Sequence, residues 1–362
     1  MSLVWACGSH ARKTAYATFL CLFSSSVFIQ ESTAGGPLRT ASGKSVVWHT
    51  SQIPYMVSRG GLAAIPEARV QAIVDQAIQI WSGVSTAKIS FKFAGQLNDL
   101  SSPVLYVKYA APDQPNVIFL DTNGSVISEL AGVSAEATIA GWASPVMNSN
   151  GTEIVHFYSL MNGFLLNNED KFLNTITHEL GHAIGLDHAQ INSEFAHNRT
   201  LGNMGYIPVM YPTISSPYDT SLALKPDDMS WLSKLYPATS FRGAYGMVSG
   251  RLVRNDGTPV AGANVILTNT ADSTTIRLLR YSCVSDWLKN NDGGFEIAVP
   301  PGKYRINIEP IETSFSGVSG VGPYSSSDSD QSFKNAIVSK EFTSTFDVLS
   351  GASTDVGTLI AD

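Results

Sequence analysis

Apolar positions recur with two different periods along the chain, and this difference divides it into two parts. After Pro66 they recur every three or four residues, which predicts an amphipathic helix. Two more helices are predicted, one starting at Asn167 or Asn168 with acidic residues in its first turn, and one following Pro226. Runs rich in β-branched and aromatic residues predict strands at 45–60, 89–93, 104–110, 116–121, 137–143 and 153–161. Strands mixed with three helices indicate an α/β or α+β domain, and we take it as α+β.

The pattern changes after Tyr236 and Pro237, beyond which the sequence predicts no helix. Short runs alternate apolar and polar residues and are separated by turns rich in Asn, Asp, Pro and Gly, which is typical of a small antiparallel β-sandwich. The predicted strands are 247–253, 263–269, 294–299, 303–310, 343–351 and 354–362, with a loop at 313–332. We therefore expect an N-terminal domain at 35–240 and an all-β sandwich domain at 241–362.

Residues 1–34 have the layout of a secretory signal peptide. Arg12 lies in a short basic region, 14–29 are uncharged and mostly apolar, and a small residue, Ala34, precedes a possible cleavage site. The alternative is a membrane anchor, but the apolar run is shorter than the roughly 20 residues that a span needs. We therefore expect a secreted or cell-surface protein that keeps no stable membrane span once the signal is removed.

Composition and charge narrow the functional classes. Hydrophobic residues make up 44% of the 362 residues and charged residues 15%, which indicates a globular protein. The formal net charge is −7 and no cluster of Lys and Arg occurs, which argues against nucleic-acid binding. Two of the three cysteines, Cys7 and Cys21, lie in the predicted signal, so only Cys283 would remain and no intramolecular disulfide is expected.

The residues with the clearest chemistry form the run HELGHAIGLDH. His178 and His182 are four residues apart, so on a helix they share one face and can hold one ion. Glu179 follows the first of them and can act as a general base on metal-bound water. Gly185 can adopt a left-handed conformation, end the helix and bring His188 round as a third ligand. Three neutral imidazoles with an open fourth position predict a catalytic zinc site.

This run matches the extended zinc motif HExxHxxGxxH, and the chain resembles the metzincin zinc metalloendopeptidases. Within that clan it is most similar to the matrixin-like branch, over about residues 45–237. The segment 207–212 resembles the Met-turn of that family, and 224–236 resembles its final helix. The resemblance implies a metzincin-type catalytic domain with a twisted mixed sheet and three helices.

The resemblance also implies roles for single residues. The three histidines would bind one zinc ion, and Glu179 would activate the water and pass a proton to the leaving amine. A Met in the Met-turn would support the site from below, although it could also be an ordinary core residue. Substrate would pair with an edge strand near 140–143. The residues that would support the site or form the pocket for the side chain after the scissile bond are Met210, Tyr211, Pro212 and Ile214.

The chain departs from the matrixin pattern directly after the zinc motif. Ala189 follows the third histidine, where matrixins usually have Ser or Thr. The link from His188 to Met210 is also much longer than the usual one. A long insertion beside the active site could alter specificity or act as a lid.

Two further segments each allow two interpretations. Oxygens of 121–124 could bind a structural Ca²⁺, whereas an ordinary Asn-Gly turn is the alternative. His156 could join a second zinc site or be a plain strand residue. In both cases we favour the interpretation without a metal.

The C-terminal part is similar to the carboxypeptidase-regulatory-like family of small β-domains. The resemblance rests on the runs 250–253, 258–267, 292–297 and 300–304. This part contains no catalytic constellation, so we expect an accessory role. Binding of a surface or polymer ligand and simple stabilisation are the two candidates.

The sequence therefore predicts a secreted zinc-dependent endopeptidase that acts on protein or peptide substrates. The alternative is a surface binding or adhesion protein whose β-sandwich is the working module and whose protease domain is auxiliary or inactive. The intact zinc motif favours the enzyme, because a decayed enzyme commonly loses one of these residues.

Overall fold

The structure is a computed structural model that describes residues 36–40, 43–98, 101–214, 217–271, 279–288, 290–312 and 337–362. The predicted signal peptide and the predicted loop at 313–332 lie outside these ranges. Within the described part, no helix has the length and apolar character needed to cross a membrane.

Five strands form one sheet in the N-terminal part. They are β1 (Gln52–Ser58), β2 (Ser90–Leu97), β3 (Val117–Asp121), β4 (Gly141–Met147) and β5 (Ile154–Asn162). Their order is β2-β1-β3-β5-β4, and all neighbours are parallel except β4 and β5. β4 is therefore an antiparallel edge strand, and it includes most of the segment predicted to pair with substrate.

Helices lie on both faces of this sheet. The helices of the described residues are α1 (Glu67–Ser82), α2 (Pro103–Tyr109), α3 (Ser125–Ala131), α4 (Glu169–Ala183), α5 (Ser193–His197), α6 (Pro226–Leu235) and α7 (Phe241–Ala244). Ile118 and Leu120 of β3 belong to the buried cluster that contains α1 and α4. Val117 and Phe119 belong to a second cluster with residues of α2 and α3. A strand buried on both faces accounts for the continuous apolar run of β3.

The three predicted helices are confirmed as α1, α4 and α6. α1 begins directly after Pro66, and α6 begins at Pro226. α4 begins after Asn168, whose side chain accepts a hydrogen bond from the N–H of Lys171 at 2.9 Å. The helix starts were predictable because capping and first-turn charge are local to the sequence.

The prediction of a strand at 104–110 is wrong, because helix α2 occupies this segment. Ser102 caps the helix by accepting a hydrogen bond from the N–H of Leu105 at 3.3 Å. Pro103 supplies the fixed φ that suits a first helical residue. Tyr106 is the buried residue of the helix, and its ring packs edge-on against Phe119, Trp142 and Tyr158 of the sheet. The helix start formed by Ser102 and Pro103 therefore outweighs the β-branched residues of this run.

The prediction of a strand at 137–143 is correct only in its second half. β4 begins at Gly141, because Ala135–Ala137 forms a 3₁₀ turn before it. The expectation of no helix after Pro237 is wrong at one short turn, α7, where the N–H of Tyr245 donates to the carbonyl of Phe241 at 2.9 Å. The helix α5 has no counterpart among the predictions from sequence, nor has α3. Gly124 lies at its start in the left-handed region, with φ of 82°.

Two sheets make up the C-terminal part. The strands are β6 (Gly246–Val253), β7 (Ala263–Asn269), β8 (Arg280–Val284), β9 (Gly294–Val299), β10 (Gly302–Pro310), β11 (Lys340–Glu341), β12 (Phe346–Val348) and β13 (Ser353–Ile360). One sheet has the order β11-β10-β7-β8, with β12 also paired to β10, and the other has the order β13-β6-β9. Val248 and Ile297 of one sheet share a buried cluster with Val265 and Ile306 of the other.

The expectation of purely antiparallel pairing is wrong at one place, where β13 runs parallel to β6. The chain leaves β12 and enters β13 beside the start of β6. The N–H of Gly351 donates to the carbonyl of Tyr245 there at 2.8 Å, and the N–H of Met247 donates to Ala352 at 2.9 Å. Both strands consequently begin at the same end of the sheet.

The helix α6 joins the two parts of the molecule. Its buried Asp227 accepts hydrogen bonds from the N–H and the hydroxyl of Ser282 on β8, at 2.5 and 3.1 Å. The indole N–H of Trp231 donates to the carbonyl of the same Ser282 at 2.7 Å. The hydroxyl of Ser230 donates to the carbonyl of Ala298 on β9 at 2.5 Å. Buried polar contacts therefore fix the C-terminal sheets to this helix.

This interface predicts a pH-dependent stability difference between the wild type and Asp227→Asn. Burial raises the pKa of Asp227 to about 8, although the N–H of Ser282 opposes the shift. An unfolded Asp titrates near pH ~3.9, so between these values the folded state holds a proton that the unfolded state has released. The free energy of unfolding of the wild type then falls as pH rises, and that of the Asn variant lacks this contribution.

We expect the variant to gain stability relative to the wild type between about pH 5 and pH 8, by on the order of 1 kcal/mol per pH unit. Urea unfolding of both proteins at several pH values measures this difference. The pH effects that the two proteins share cancel in the comparison. A difference that stays constant with pH would show that the carboxyl is ionised throughout this range.

Candidate metal and catalytic site

The helix α4 carries the first two histidines and ends in a turn that sends the chain back. The N–H of Leu186 donates to the carbonyl of Gly181 at 3.0 Å, and the N–H of Gly185 donates to His182 at 2.9 Å. These two bonds form a Schellman motif, in which Gly185 takes the left-handed position with φ of 86°. The turn predicted at this glycine is confirmed. It directs His188 back towards the helix.

The three imidazoles converge on one point in the interior. The Nε2 atom of His182 is 3.1 Å from that of His178 and 3.1 Å from that of His188, and the remaining pair is 3.2 Å apart. The Nδ1 atom of His178 is 2.7 Å from the carbonyl oxygen of Val209, and that of His182 is 3.0 Å from Leu186. Because a carbonyl only accepts hydrogen bonds, these Nδ1 atoms carry the protons, and the Nε2 atoms present lone pairs.

This donor set fits a zinc ion. A tetrahedral site with zinc–nitrogen distances of about 2.0–2.1 Å places the ligand nitrogens about 3.3–3.4 Å apart, close to the observed 3.1–3.2 Å. Burial lowers the pKa of His178 to about 4 and that of His182 well below its usual value. Both rings are therefore neutral near pH 7, as a metal ligand requires. Across the described ranges, these three side chains are the one group of metal-binding type that converges in this way.

Glu179 lies on the same helix, one residue beyond the first histidine. Its side chain is 6% exposed, and burial raises its pKa to about 8. The N–H of Ala143 donates a hydrogen bond to the carboxylate and opposes this shift. A carboxyl that titrates in this range can both accept and release a proton near neutral pH. Since Ala143 belongs to β4, the same carboxyl is held against the edge strand of the sheet.

Met210 packs beneath the helix that carries the histidines. Its sulfur lies so close to Gly181 that a Cβ at that glycine would be 2.2 Å from Sδ and 2.9 Å from the ring of Trp81. The indole N–H of Trp81 also donates to the carbonyl of Thr177 at 2.8 Å. Residue 181 therefore has to be a glycine, because Met210 and Trp81 fill the space that a side chain would need.

A residue that the sequence indicated only as part of a helix start, Asp228, holds this turn in place. Its carboxylate accepts hydrogen bonds from the N–H groups of Val209 at 2.9 Å and Met210 at 3.1 Å. It also accepts from the N–H of Lys225 at 2.9 Å. The carbonyl of Val209 in turn orients His178. One buried carboxylate at the start of α6 thus supports a metal-binding imidazole through the backbone.

The match to known families covers this site. Residues 47–237 match the sequence model of the matrixin family, which is more than half of the 362 residues. The chain belongs to the matrixin family. Matrixins are metallopeptidases with a catalytic zinc, which agrees with the placement of the three histidines. The match ends after α6, and no curated protein matches the chain significantly.

A cleft of this matrixin adjoins the metal site at Val209. Tyr211 and Ile214 of the predicted substrate pocket line it, whereas Pro212 is buried and is not among the lining residues. Met210 lies beneath α4 instead. The other lining residues are Asn174, Arg199, Met204, Ile207, Pro208, Thr213, Asp219 and Leu222. The insertion, defined here as residues 189–209, therefore contributes a large share of the cleft wall.

The oxygens of 121–124 bind backbone N–H groups. Oδ2 of Asp121 accepts a hydrogen bond from the N–H of Ile127 at 2.9 Å, at the start of α3. Oδ1 of Asn123 accepts from the N–H of Ser125 at 3.1 Å. This is the geometry of a turn that caps a helix, and calcium binding stays the less favoured alternative.

His156 is a buried residue of β5, away from the three histidines of the motif. Its Nδ1 is 3.1 Å from Oδ1 of Asn116, and its Nε2 is 2.6 Å from the carbonyl oxygen of Tyr109. Both ring nitrogens therefore have polar partners, one at the end of α2 and one just before β3. These contacts agree with the interpretation as a strand residue and leave no nitrogen facing a second metal.

The contact of Met210 with the helix predicts that Gly181→Ala damages the site. The added methyl would meet Sδ and the Trp81 ring, so we expect a loss of about 1–3 kcal/mol in the free energy of unfolding and weaker zinc binding. Urea unfolding and zinc titration measure the two effects. Gly243→Ala is the matched control, because a Cβ there has no heavy atom within 4 Å. Equal behaviour of the two variants would mean that Met210 does not constrain the helix.

Proposed function

We propose that this matrixin is an exported zinc-dependent endopeptidase. The observation that carries the proposal is the convergence of three Nε2 atoms, two of them on α4, the helix that also carries the buried carboxyl of Glu179. Membership of the matrixin family supports the reaction class. Export rests on the predicted signal peptide at 1–34.

The site residues divide the chemistry of peptide hydrolysis among them. His178, His182 and His188 would hold a zinc ion, which would act as a Lewis acid on water and on a peptide carbonyl. Glu179 takes a proton from the attacking water and delivers it to the leaving amine nitrogen. The N–H of Ala143 and the surrounding buried residues hold this carboxyl in position for the exchange.

The substrate would lie in an extended conformation along β4. An edge strand presents unpaired backbone groups with which a peptide can form hydrogen bonds. Ala143 of β4 contacts Glu179, so a peptide on this strand passes the catalytic carboxyl. The side chain after the scissile bond would enter the cleft lined by Tyr211 and Ile214.

The C-terminal sheets would form an accessory β-sandwich of the carboxypeptidase-regulatory-like type, over about 241–362. Two sheets with a shared buried cluster support this assignment. No contact among the described residues favours the adhesion alternative or a surface ligand. The protease domain is therefore the module to which we assign the activity.

A comparison of Glu179→Gln with Glu169→Gln tests the proposal. Both substitutions are isosteric and lie on α4, but Glu169 is exposed in its first turn and pairs with Arg69. We expect the first variant to keep one zinc per chain and to lose roughly 10²–10⁴-fold in peptide cleavage, since it lacks the proton acceptor. The second should retain the activity of the wild type.

Zinc content by mass spectrometry and cleavage of a fluorogenic peptide library provide the readouts. Removal of zinc with a chelator should abolish cleavage, and added zinc should restore it. Purified wild type without zinc, or two Gln variants of equal activity, would refute the proposal.

A further inference from the structure

Near the start of the insertion, Gln190 is hydrogen-bonded to the C-terminal part at three places. Gln190 is 3% exposed, and its side-chain amide donates to the carbonyl of Pro310 at 3.1 Å. Its side-chain oxygen accepts from the N–H of Glu312 at 2.6 Å. Its backbone carbonyl accepts from the side chain of Asn264 on β7. The residue two positions after His188 thus has hydrogen-bond partners on β7 and at the end of β10.

Apolar contacts continue this attachment. Met204, Ile207 and Tyr211 form a buried cluster that is separate from the core of the protease domain. Their partners in it are Val284, Trp287 and Ile311, all from the C-terminal part. The insertion therefore shares its core with the C-terminal sheets.

A charged contact holds the short helix α5 of the insertion. Arg280, the first residue of β8, donates through Nη1 to the side-chain oxygen of Asn192 at 3.0 Å. The same nitrogen lies 3.4 Å from the carboxylate of Glu194. His197 at the end of α5 lies 3.0 Å from the carboxylate of Glu312. Side chains along the whole of α5 consequently face partners on the C-terminal part.

The attached segment also forms a wall of the cleft beside the metal site. The N–H of Ala189 donates to the carbonyl of Met210 at 2.8 Å, which ties the two ends of the insertion together. Arg199, Met204 and Ile207 of the insertion line the cleft. A shift of 190–207 would therefore change the shape of this cleft, whereas Val209, whose carbonyl orients His178, is held separately by Asp228.

We infer that the C-terminal part is a structural component of the substrate pocket, and that Gln190 and Arg280 are positioning residues that fix the insertion as a pocket wall. This inference rests on the proposed function, because it concerns the pocket of a peptidase. A lid would need a segment that separates from its surroundings at little cost. Gln190 and the apolar cluster are buried, so the contacts are those of a fixed wall.

Arg280→Ala in the full-length zinc-loaded protein tests the inference, with Arg305→Ala as the matched control. Arg305 also lies on the β7–β10 sheet and forms an ion pair, but its partner is Glu341 at 2.7 Å. We expect amide hydrogen exchange to accelerate at 190–207 in the first variant alone. We also expect KM to rise about fivefold or more for peptides with a large residue after the scissile bond, with kcat little changed. Arg280→Lys should restore part of the KM.

Amide hydrogen exchange shows whether the insertion is attached to the C-terminal part even if no peptide is cleaved. Failure of the proposed function is therefore distinguishable from failure of this inference. Should Arg280→Ala not fold, Glu194→Gln removes the same ion pair from the insertion and leaves the C-terminal sheets unchanged. Equal exchange at 190–207 in the Arg280 or Glu194 variant and in Arg305→Ala would overturn the inference. An unchanged order of preference among the peptides in an active variant would overturn it as well.

Discussion

Three imidazole nitrogens that lie 3.1–3.2 Å apart in a buried site must all be neutral and must all present a lone pair to the same point. Backbone carbonyls around the site keep two of the rings in the required tautomer. Val209 and Leu186 accept the protons of two Nδ1 atoms and so fix the tautomers. The left-handed Gly185 brings in the third ring. The geometry of the metal site is thus a property of the backbone around α4.

Two adjacent carboxyls at the start of α6 connect this backbone to the rest of the molecule. Asp228 holds the N–H groups of Val209 and Met210, beneath the histidines. Asp227 points to the other side and binds Ser282 of the C-terminal sheets. One helical turn therefore supports both the metal site and the interface between the two parts. A displacement of α6 would therefore disturb both the metal site and this interface.

Features with local causes were predictable from the sequence. The spacing of the zinc motif, the cap of α4 at Asn168 and the turn at Gly185 each depend on a few neighbouring residues. The run 104–110 failed because composition was weighed above the cap at Ser102. Asp228 and Gln190 could not be assigned, since their partners lie 19 and 120 positions away in the chain. Hydrophobic periodicity in the sequence does not reveal such long-range hydrogen bonds, because they depend on how the elements pack.

The length of the insertion alone suggested a lid or a change of specificity, and its contacts discriminate between the two. A loop of this size exposes apolar residues that need a core, and the main core takes in its two ends, Ala189 and Val209. Met204 and Ile207 obtain it from Val284 and Trp287 instead. Burial of that kind opposes opening, since each separation would return apolar surface to water. On the proposed function, selectivity for substrate would depend on residues of both parts, although the groups proposed to react belong to one.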